Sequence, residues 1–340
     1  METVLEYLKE NKKEKLEEIE EMDILVFNRL VYIPFEIFMK EEEQMTLEEA
    51  YQKGKEQITH VYKKQDLEFF RLLAESYRYK DLKIEKIRSI LDYEKEEQFM
   101  AMTILLPKDF VYVVYRGTTD DIIGWKEDFK MVYHTIPAQS DALKYLNEIK
   151  YNKIYVGGHS KGGNLAMYAS MYAKKEVKNH IIRIDNLDGP GFSFLPKEYY
   201  EVNDKIISYI PKDSIVGRLL NLDNTTYVVC SYDRGIEQHN LYNWQTKEKK
   251  FLLGTLSKES DFSHKIILDF FNTVKKEEWE EFMENLHSFF LENKITNIRE
   301  VKFNDIKNMI LTYKNISEEK KKQLFSIMKY ILNVTKENIM

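Results

Sequence analysis

The spacing of apolar and polar positions changes character twice along this chain. Up to about residue 80 it is helical. Asp23 opens an apolar stretch over 24–38, interrupted at Pro34, and Thr46-Leu47-Glu48-Glu49 is a capping-box pattern that starts a further helix. Residues 66–79 repeat Leu67, Phe70, Leu72, Leu73 and Tyr77 at helical spacing. From 81 to 254 short apolar runs alternate with helical ones. The runs 99–106 and 110–115, joined by Pro107-Lys108-Asp109, predict a hairpin. A helix is predicted over 141–149, a strand over 153–157, a helix over 161–174, and strands over 180–187, 205–210 and 225–231. From 255 to 340 only helical periodicity remains. Trp279, Phe282, Leu286 and Phe289 form one stripe, and Leu324, Ile327, Met328, Ile331 and Leu332 another, with Ser317 as N-cap before Glu318 and Glu319. Such stripes are read first as core faces.

An antiparallel entry followed by strand–helix units predicts an α/β fold, a mixed and mainly parallel sheet with helices on both faces. The chain then divides into a helical N-terminal segment (1–80) packed on the core, an α/β core (81–254) and a helical C-terminal extension (255–340). Hydrophobic residues are 43% and charged residues 32% of the 340 residues, which suits a cored globular protein. The net charge of −6 supplies no basic field for nucleic acid. Cys230, the single cysteine, has no intrachain partner and reads as a small buried residue in a reducing, cytoplasmic setting. Residues 1–21 alternate Glu and Lys without the apolar core of a signal peptide, and no run approaches the ~18 apolar residues of a membrane span.

The strongest chemical signal is the run Ile154-Tyr155-Val156-Gly157-Gly158-His159-Ser160-Lys161-Gly162-Gly163-Asn164-Leu165-Ala166. An apolar strand, Gly-x-Ser-x-Gly and a helix-forming run make a nucleophile elbow in its required context, which makes the expected fold α/β-hydrolase-type. Side chains at Gly158 and Gly162 would collide with the neighbouring strand and helix. The helix N-terminus places free backbone N–H groups beside Ser160.

A serine hydroxyl needs a base, and the base an orienting acid. Among hydrolases of this type they follow the serine in the order acid, then His, on loops after strands. Asp213 follows the strand over 206–210, and His239 follows the strand that ends at Ser231; these are the expected acid and base. His264 and His287 lie in helical, apolar surroundings, and His159 lies inside the elbow, badly placed to reach its neighbour's hydroxyl. Asp188, before Gly189-Pro190-Gly191, is the runner-up acid and is read first as a turn former. The oxyanion hole is expected from the backbone N–H of Lys161 and that of Thr118, after the strand that ends in Tyr115-Arg116-Gly117. Gly117 permits the tight turn, and the Thr118 hydroxyl can hold the loop or donate as well.

Tyr115-Arg116-Gly117-Thr118, then Asp120-Asp121 and Gly124-Trp125-Lys126-Glu127-Asp128-Phe129, then Gly158-His159-Ser160-Lys161-Gly162-Gly163, resemble the class 3 (fungal-type) triacylglycerol lipase family. The string Gly-His-Ser-Lys-Gly-Gly-Asn-Leu-Ala, with Asp188-Gly189-Pro190-Gly191-Phe192 after the next strand, is closer to a bacterial group of lipase-like domains. The resemblance covers roughly residues 20–250. It implies Ser160 as nucleophile, Asp213 as acid, His239 as base and Thr118 with Lys161 as oxyanion donors. It also implies that Trp125 and Asp128 brace the loop after Arg116. Lys161 departs from the small or apolar residue usual after the nucleophile; such a cation either favours acidic head groups or lies on the surface. The segment 120–139 is the candidate for a lid, and the C-terminal helices have no counterpart in the secreted lipases.

The expected function is hydrolysis of carboxylic esters, of lipid-like or other small-molecule substrates, through an acyl-enzyme. No cofactor or metal is expected, since the Cys and His spacing shows no zinc pattern. Two alternatives belong to other classes. One is a catalytically silent binding or scaffold protein on the same fold. The other is a peripheral membrane protein docking through its C-terminal helices, where residues 297–340 carry nine Lys and Arg against five Asp and Glu, a balance of +4.

Overall fold

The computed structural model describes residues 1–10, 13–297, 300, 317–319 and 321–322. The apolar stripe from Leu324 to Leu332 lies outside them.

In chain order the elements are α1 (Val4–Lys9), α2 (Glu21–Leu30), β1 (Gln44–Thr46), α3 (Leu47–Gly54), α4 (Asp66–Glu75), β2 (Lys83–Asp92), β3 (Glu97–Leu105), β4 (Val111–Tyr115), α5 (Ile122–Lys130), α6 (Pro137–Asn147), β5 (Ile154–His159), α7 (Lys161–Tyr172), α8 (Lys175–His180), β6 (Ile181–Leu187), β7 (Ile206–Pro211), β8 (Thr225–Val229), the short pair β9 (Thr246–Lys247) and β10 (Lys250–Phe251), α9 (Lys258–Thr273) and α10 (Lys276–Glu292). Strands β1 to β8 form one sheet in sequential order. The pairs from β1 to β4 are antiparallel and those from β4 to β8 parallel. The fold is of the α/β-hydrolase type.

This order decides how the sheet is covered. Parallel strands wound in one direction with crossovers of one hand put their connecting helices on the same face. Accordingly α6 and α7 share one core with Val111, Val113 and Tyr115 of β4. The alternate residues of that strand, Tyr112 and Val114, point into a second core with Leu25, Val26 and Phe27 of α2. The N-terminal segment is therefore the cover of the opposite face. It is not wholly helical: β1 extends the sheet edge beside β2, and neither strand is evident in the sequence pattern. The predicted hairpin is β3–β4, with Leu105 opposite Val111. A third cluster joins α5, α9 and α10, burying Ile122, Ile123, Phe270, Trp279, Phe282 and Leu286, so the first C-terminal stripe is a core face. Cys230 is half-buried rather than buried.

Two buried ion pairs fasten the N-terminal segment. Asp23 accepts two bonds from Arg78, Nε to Oδ1 at 2.7 Å and Nη2 to Oδ2 at 2.6 Å, and a third from the Tyr79 hydroxyl at 2.7 Å. Arg29 pairs with Asp66, which also accepts from the Tyr242 hydroxyl at 2.7 Å. Removing one partner of such a pair strands the other charge in the core. Asp23→Ala is expected to lower the unfolding free energy by about 3–5 kcal/mol, read by urea denaturation, because Arg78 is then left buried and unpaired.

Candidate active site

Strand β5 stops at His159 and α7 begins at Lys161, so Ser160 alone makes the turn, with φ 58° and ψ −132°. A non-glycine residue there carries roughly 1–3 kcal/mol of strain, which persists only if the surroundings impose it. They do. A Cβ on Gly158 would lie 1.9 Å from the Gly162 carbonyl oxygen, and one on Gly162 would lie 2.2 Å from that of Tyr115. Strand, helix and the neighbouring β4 thus approach through positions that admit no side chain. The Ser160 N–H donates to the Leu187 carbonyl at 3.0 Å, tying the turn to the end of β6.

The register of β5 and β6 pairs His159 with Leu187, so the next residues, Ser160 and Asp188, leave the sheet side by side. Asp188 also has a positive φ, 48°. Its carboxylate is buried, and Oδ1 accepts from the Ser214 hydroxyl at 2.5 Å and the Gly217 N–H at 3.0 Å. Oδ2 lies 2.6 Å from His239 Nδ1. The expectation that Asp213 orients His239 is therefore corrected: the histidine's carboxylate is Asp188. Asp213 sits one strand further along, where its Oδ2 accepts from the Gly235 N–H at 2.7 Å and from Gln238 Nε2 at 2.9 Å. It shapes the turn that carries His239 without touching the ring.

The strings around these residues interlock. Asn186 accepts the Gly189 N–H at 3.0 Å, closing the Asp188 turn, and a Cβ on Gly163 would lie 2.1 Å from the same Asn186 oxygen. Asn164 donates to the Gly191 carbonyl at 2.8 Å. The first turn of α7 and the turn after Asp188 are one packed unit.

On the other side, the loop after β4 lies against the elbow. A Cβ on Gly117 would lie 2.5 Å from the His159 carbonyl oxygen and 2.9 Å from Ser160 Cβ. The Thr118 hydroxyl donates to Asp128, 2.8 and 2.6 Å from its two oxygens, so Asp128 braces the loop as expected. Burial raises the Asp128 pKa to about 6, against the opposing pull of the Lys161 charge and the Thr118 hydroxyl. Trp125 packs instead with Phe129 in the cluster of α5 and α10. Arg116 pairs with Glu36 at 3.0 Å, linking the loop to the N-terminal segment.

Lys161 is neither a surface residue nor a head-group ligand. Its side chain is buried, and its ammonium donates to Glu127 Oε2 at 2.6 Å and to the Gln98 carbonyl at 2.9 Å. Glu127 also accepts the Gln98 N–H at 3.2 Å and the Ala138 N–H at 3.0 Å. As the first residue of α7, Lys161 has a backbone N–H without an intrahelical acceptor. Residues missed by the sequence reading are Gln98, Glu127, Tyr32 and His159. Glu127 and His159 carried a signal, by standing in the quoted Trp-Lys-Glu-Asp and Gly-His-Ser-Lys strings; Gln98 and Tyr32 carried none.

Among the described residues Glu96, Glu284 and His287 could together hold a metal ion. The Lys126 ammonium already occupies their centre, at 2.7, 2.9 and 3.0 Å from the three. It is an internal cation clip between α5 and α10. Among the described residues no helix is long and apolar enough to cross a membrane.

Lys161→Met should destabilise the fold by about 3–5 kcal/mol in urea denaturation, since Glu127 would be left buried without its cation. Asp128 gives a pH test. Between about pH 4, the free carboxyl value, and about 6 the folded state binds more protons than the unfolded state at this group, so it makes stability fall as pH rises through that window. Asp128→Asn is expected to flatten that part of the stability–pH curve.

Comparison with curated proteins finds no match. Among solved structures, a Rhizomucor miehei lipase–propeptide complex shares 20% identity over 44% of this chain and 56% of its own, with a TM-score of 0.34. A fungal lipase–inhibitor complex shares 19% over 44% of this chain and 67% of its own, TM-score 0.34. M37 lipase shares 17% over 60% of this chain and 70% of its own, TM-score 0.37. The match thus spans little more than half of the Rhizomucor lipase. The Mbeg1-like family profile matches residues 73–288, from α4 through β2–β8 to α10, and the chain belongs to the Mbeg1-like family.

Proposed function

We propose that this protein is a serine hydrolase of carboxylic esters, lipid-like or other small molecules, working through an acyl-enzyme. The observation that carries the reading is the His239–Asp188 contact, 2.6 Å long and buried on the acid's side, beside a strained serine at the adjacent strand end. With Nδ1–H given to Asp188, His239 keeps its Nε2 lone pair for the Ser160 hydroxyl proton. Ser160 Oγ then attacks the ester carbonyl. The oxyanion is held by the backbone N–H groups of Lys161 and Thr118, each worth about 3 kcal/mol in comparable sites. The Thr118 hydroxyl is committed to Asp128, so its part is to fix the loop. The protonated His239 delivers its proton to the leaving alcohol, and water activated by His239 releases the acid.

The test is labelling by a fluorophosphonate, followed by hydrolysis of p-nitrophenyl esters of increasing chain length. Labelling should require Ser160 and be lost in His239→Ala. Asp188→Asn should cut ester turnover by about 10⁴-fold by spoiling the base's tautomer, whereas Asp213→Asn should stay within about tenfold of wild type. A folded wild type that never labels would overturn the enzyme reading in favour of a silent scaffold. Equal losses at Asp188 and Asp213 would overturn the assignment of the acid.

A further inference from the structure

The N-terminal segment meets the elbow at Tyr32. Its hydroxyl lies 2.9 Å from His159 Nδ1, and His159 Nε2 lies 2.8 Å from the main-chain carbonyl oxygen of His239. The two imidazoles are in face contact, with centroids 4.4 Å apart and planes tilted by 35°. We propose that Tyr32 and His159 form a directional hydrogen-bond relay that positions the base His239 relative to the oxyanion loop. The N-terminal segment then acts as part of the catalytic apparatus. The proposal rests on the hydrolase reading above.

The direction of the relay follows from valence. A carbonyl oxygen only accepts, so His159 Nε2 carries a proton. Burial, reinforced by the neighbouring His239, holds the His159 pKa well below its ordinary value, so the ring is neutral and Nδ1 bears a lone pair. Tyr32 must therefore donate to it; burial likewise raises the phenol's pKa, which keeps its proton on. The hydroxyl oxygen in turn faces Gly117. A Cβ there would lie 2.4 Å from it, and the Gly117 main chain pulls the phenol's pKa down against the effect of burial. The chain runs from the Tyr32 hydroxyl, which lies against Gly117, through the His159 ring to the His239 carbonyl. It joins the loop that holds the oxyanion to the residue that moves the proton.

Tyr32 is itself fixed. The Arg29 guanidinium lies 4.6 Å from the centre of its ring, and Tyr62 stacks on it at 5.3 Å. Arg29 is paired with Asp66, which takes the hydroxyl of Tyr242, three residues beyond His239. The base's loop is thus gripped from the N-terminal side at His239 and again at Tyr242. The charged and titratable groups facing the relay are Arg29, Lys63, Arg116, Asp128 and His239 with its Asp188.

The test compares Tyr32→Phe, His159→Leu, their double variant and His159→Gln, whose amide offers an acceptor and a donor in roughly the same places. Fluorophosphonate labelling should slow about tenfold or more in each of the first two, and the double variant should be no slower than His159→Leu, because parts of one relay are not additive. His159→Gln should stay within about threefold of wild type, provided each variant keeps the wild-type melting transition. Imidazole NMR supplies a readout independent of turnover. Wild-type His159 should remain neutral with its proton on Nε2 from about pH 5 to 8, and in Tyr32→Phe the Nδ1 resonance should shift as it loses its hydrogen bond while the ring stays neutral. Additive losses, unchanged labelling in Tyr32→Phe, or a wild-type Nδ1–H tautomer would overturn the relay. A wild type that does not label counts against the hydrolase reading, and the tautomer then decides the relay alone.

Discussion

The constraint on which this structure depends is the close passage of main chain against main chain at Gly158 and Gly162. With the Gly158 Cβ position 1.9 Å from a carbonyl oxygen, no side chain fits between the strand and the helix it feeds. The turn is thereby reduced to one residue, and that residue is forced to φ 58°. The strain at Ser160 is thus the local expression of a packing that the whole parallel sheet maintains. Because β5 pairs with β6 in register, the same geometry carries Asp188 out beside it, likewise at positive φ. Two residues of positive φ at adjacent strand ends thus bring a hydroxyl and a carboxylate out of the sheet side by side, and the carboxylate meets His239.

Around that point the chain uses buried charge to hold loops that have little regular structure of their own. Lys161–Glu127 fastens the first turn of the elbow helix to α5, and Thr118–Asp128 fastens the loop after β4 to the next residue of the same helix. Arg29–Asp66–Tyr242 fastens the turn of His239 to the N-terminal segment. Buried pairs of this kind add little net stability, since desolvation offsets most of the attraction. Their effect is directional: each fixes one geometry and penalises departures from it. That suits a site whose groups must be held within a fraction of an ångström.

Much of this was legible in the sequence, and the exceptions share a cause. The elbow, the β3–β4 hairpin and the parallel strands are local patterns, set by period and by glycine spacing. His239 was legible as the histidine after the last parallel strand. The choice between Asp188 and Asp213 was not, because it depends on which strand end lies beside Ser160, a fact of sheet order. The one available signal was that β6 is the first strand after the elbow helix, so a simple crossover returns it next to β5. The burial of Lys161 was hidden for a related reason: its partner, Glu127, stands 34 positions earlier. β1 is too short to show a period, and the alternation of β2 is broken by a bulge between Glu85 and Arg88, with Lys86 at positive φ. Tyr32 carries no local mark at all, since its meaning arises only when the N-terminal segment folds over the sheet.

The same network bears on the segment 120–139, the candidate lid. Its helix, α5, is held on both sides. Inward, Glu127 and Asp128 bind Lys161 and Thr118; outward, Lys126 reaches Glu284 and His287, and Trp279 donates to the Phe129 carbonyl at 3.1 Å. Swinging α5 away as a unit would carry Glu127 off and leave the buried Lys161 ammonium without its carboxylate, at a cost of about 3–5 kcal/mol before any apolar surface of the α5–α10 cluster was exposed. Moving α9 and α10 away would take Glu284 and His287 from the buried Lys126 and expose the apolar cluster shared with α5. They meet the loop after β7 mainly through Arg218 with Asp261 and the Ser260 hydroxyl on the Ser214 carbonyl, the former at the surface. The charge pattern therefore makes α5 a wall of the site. Any element that opens over it must lie elsewhere.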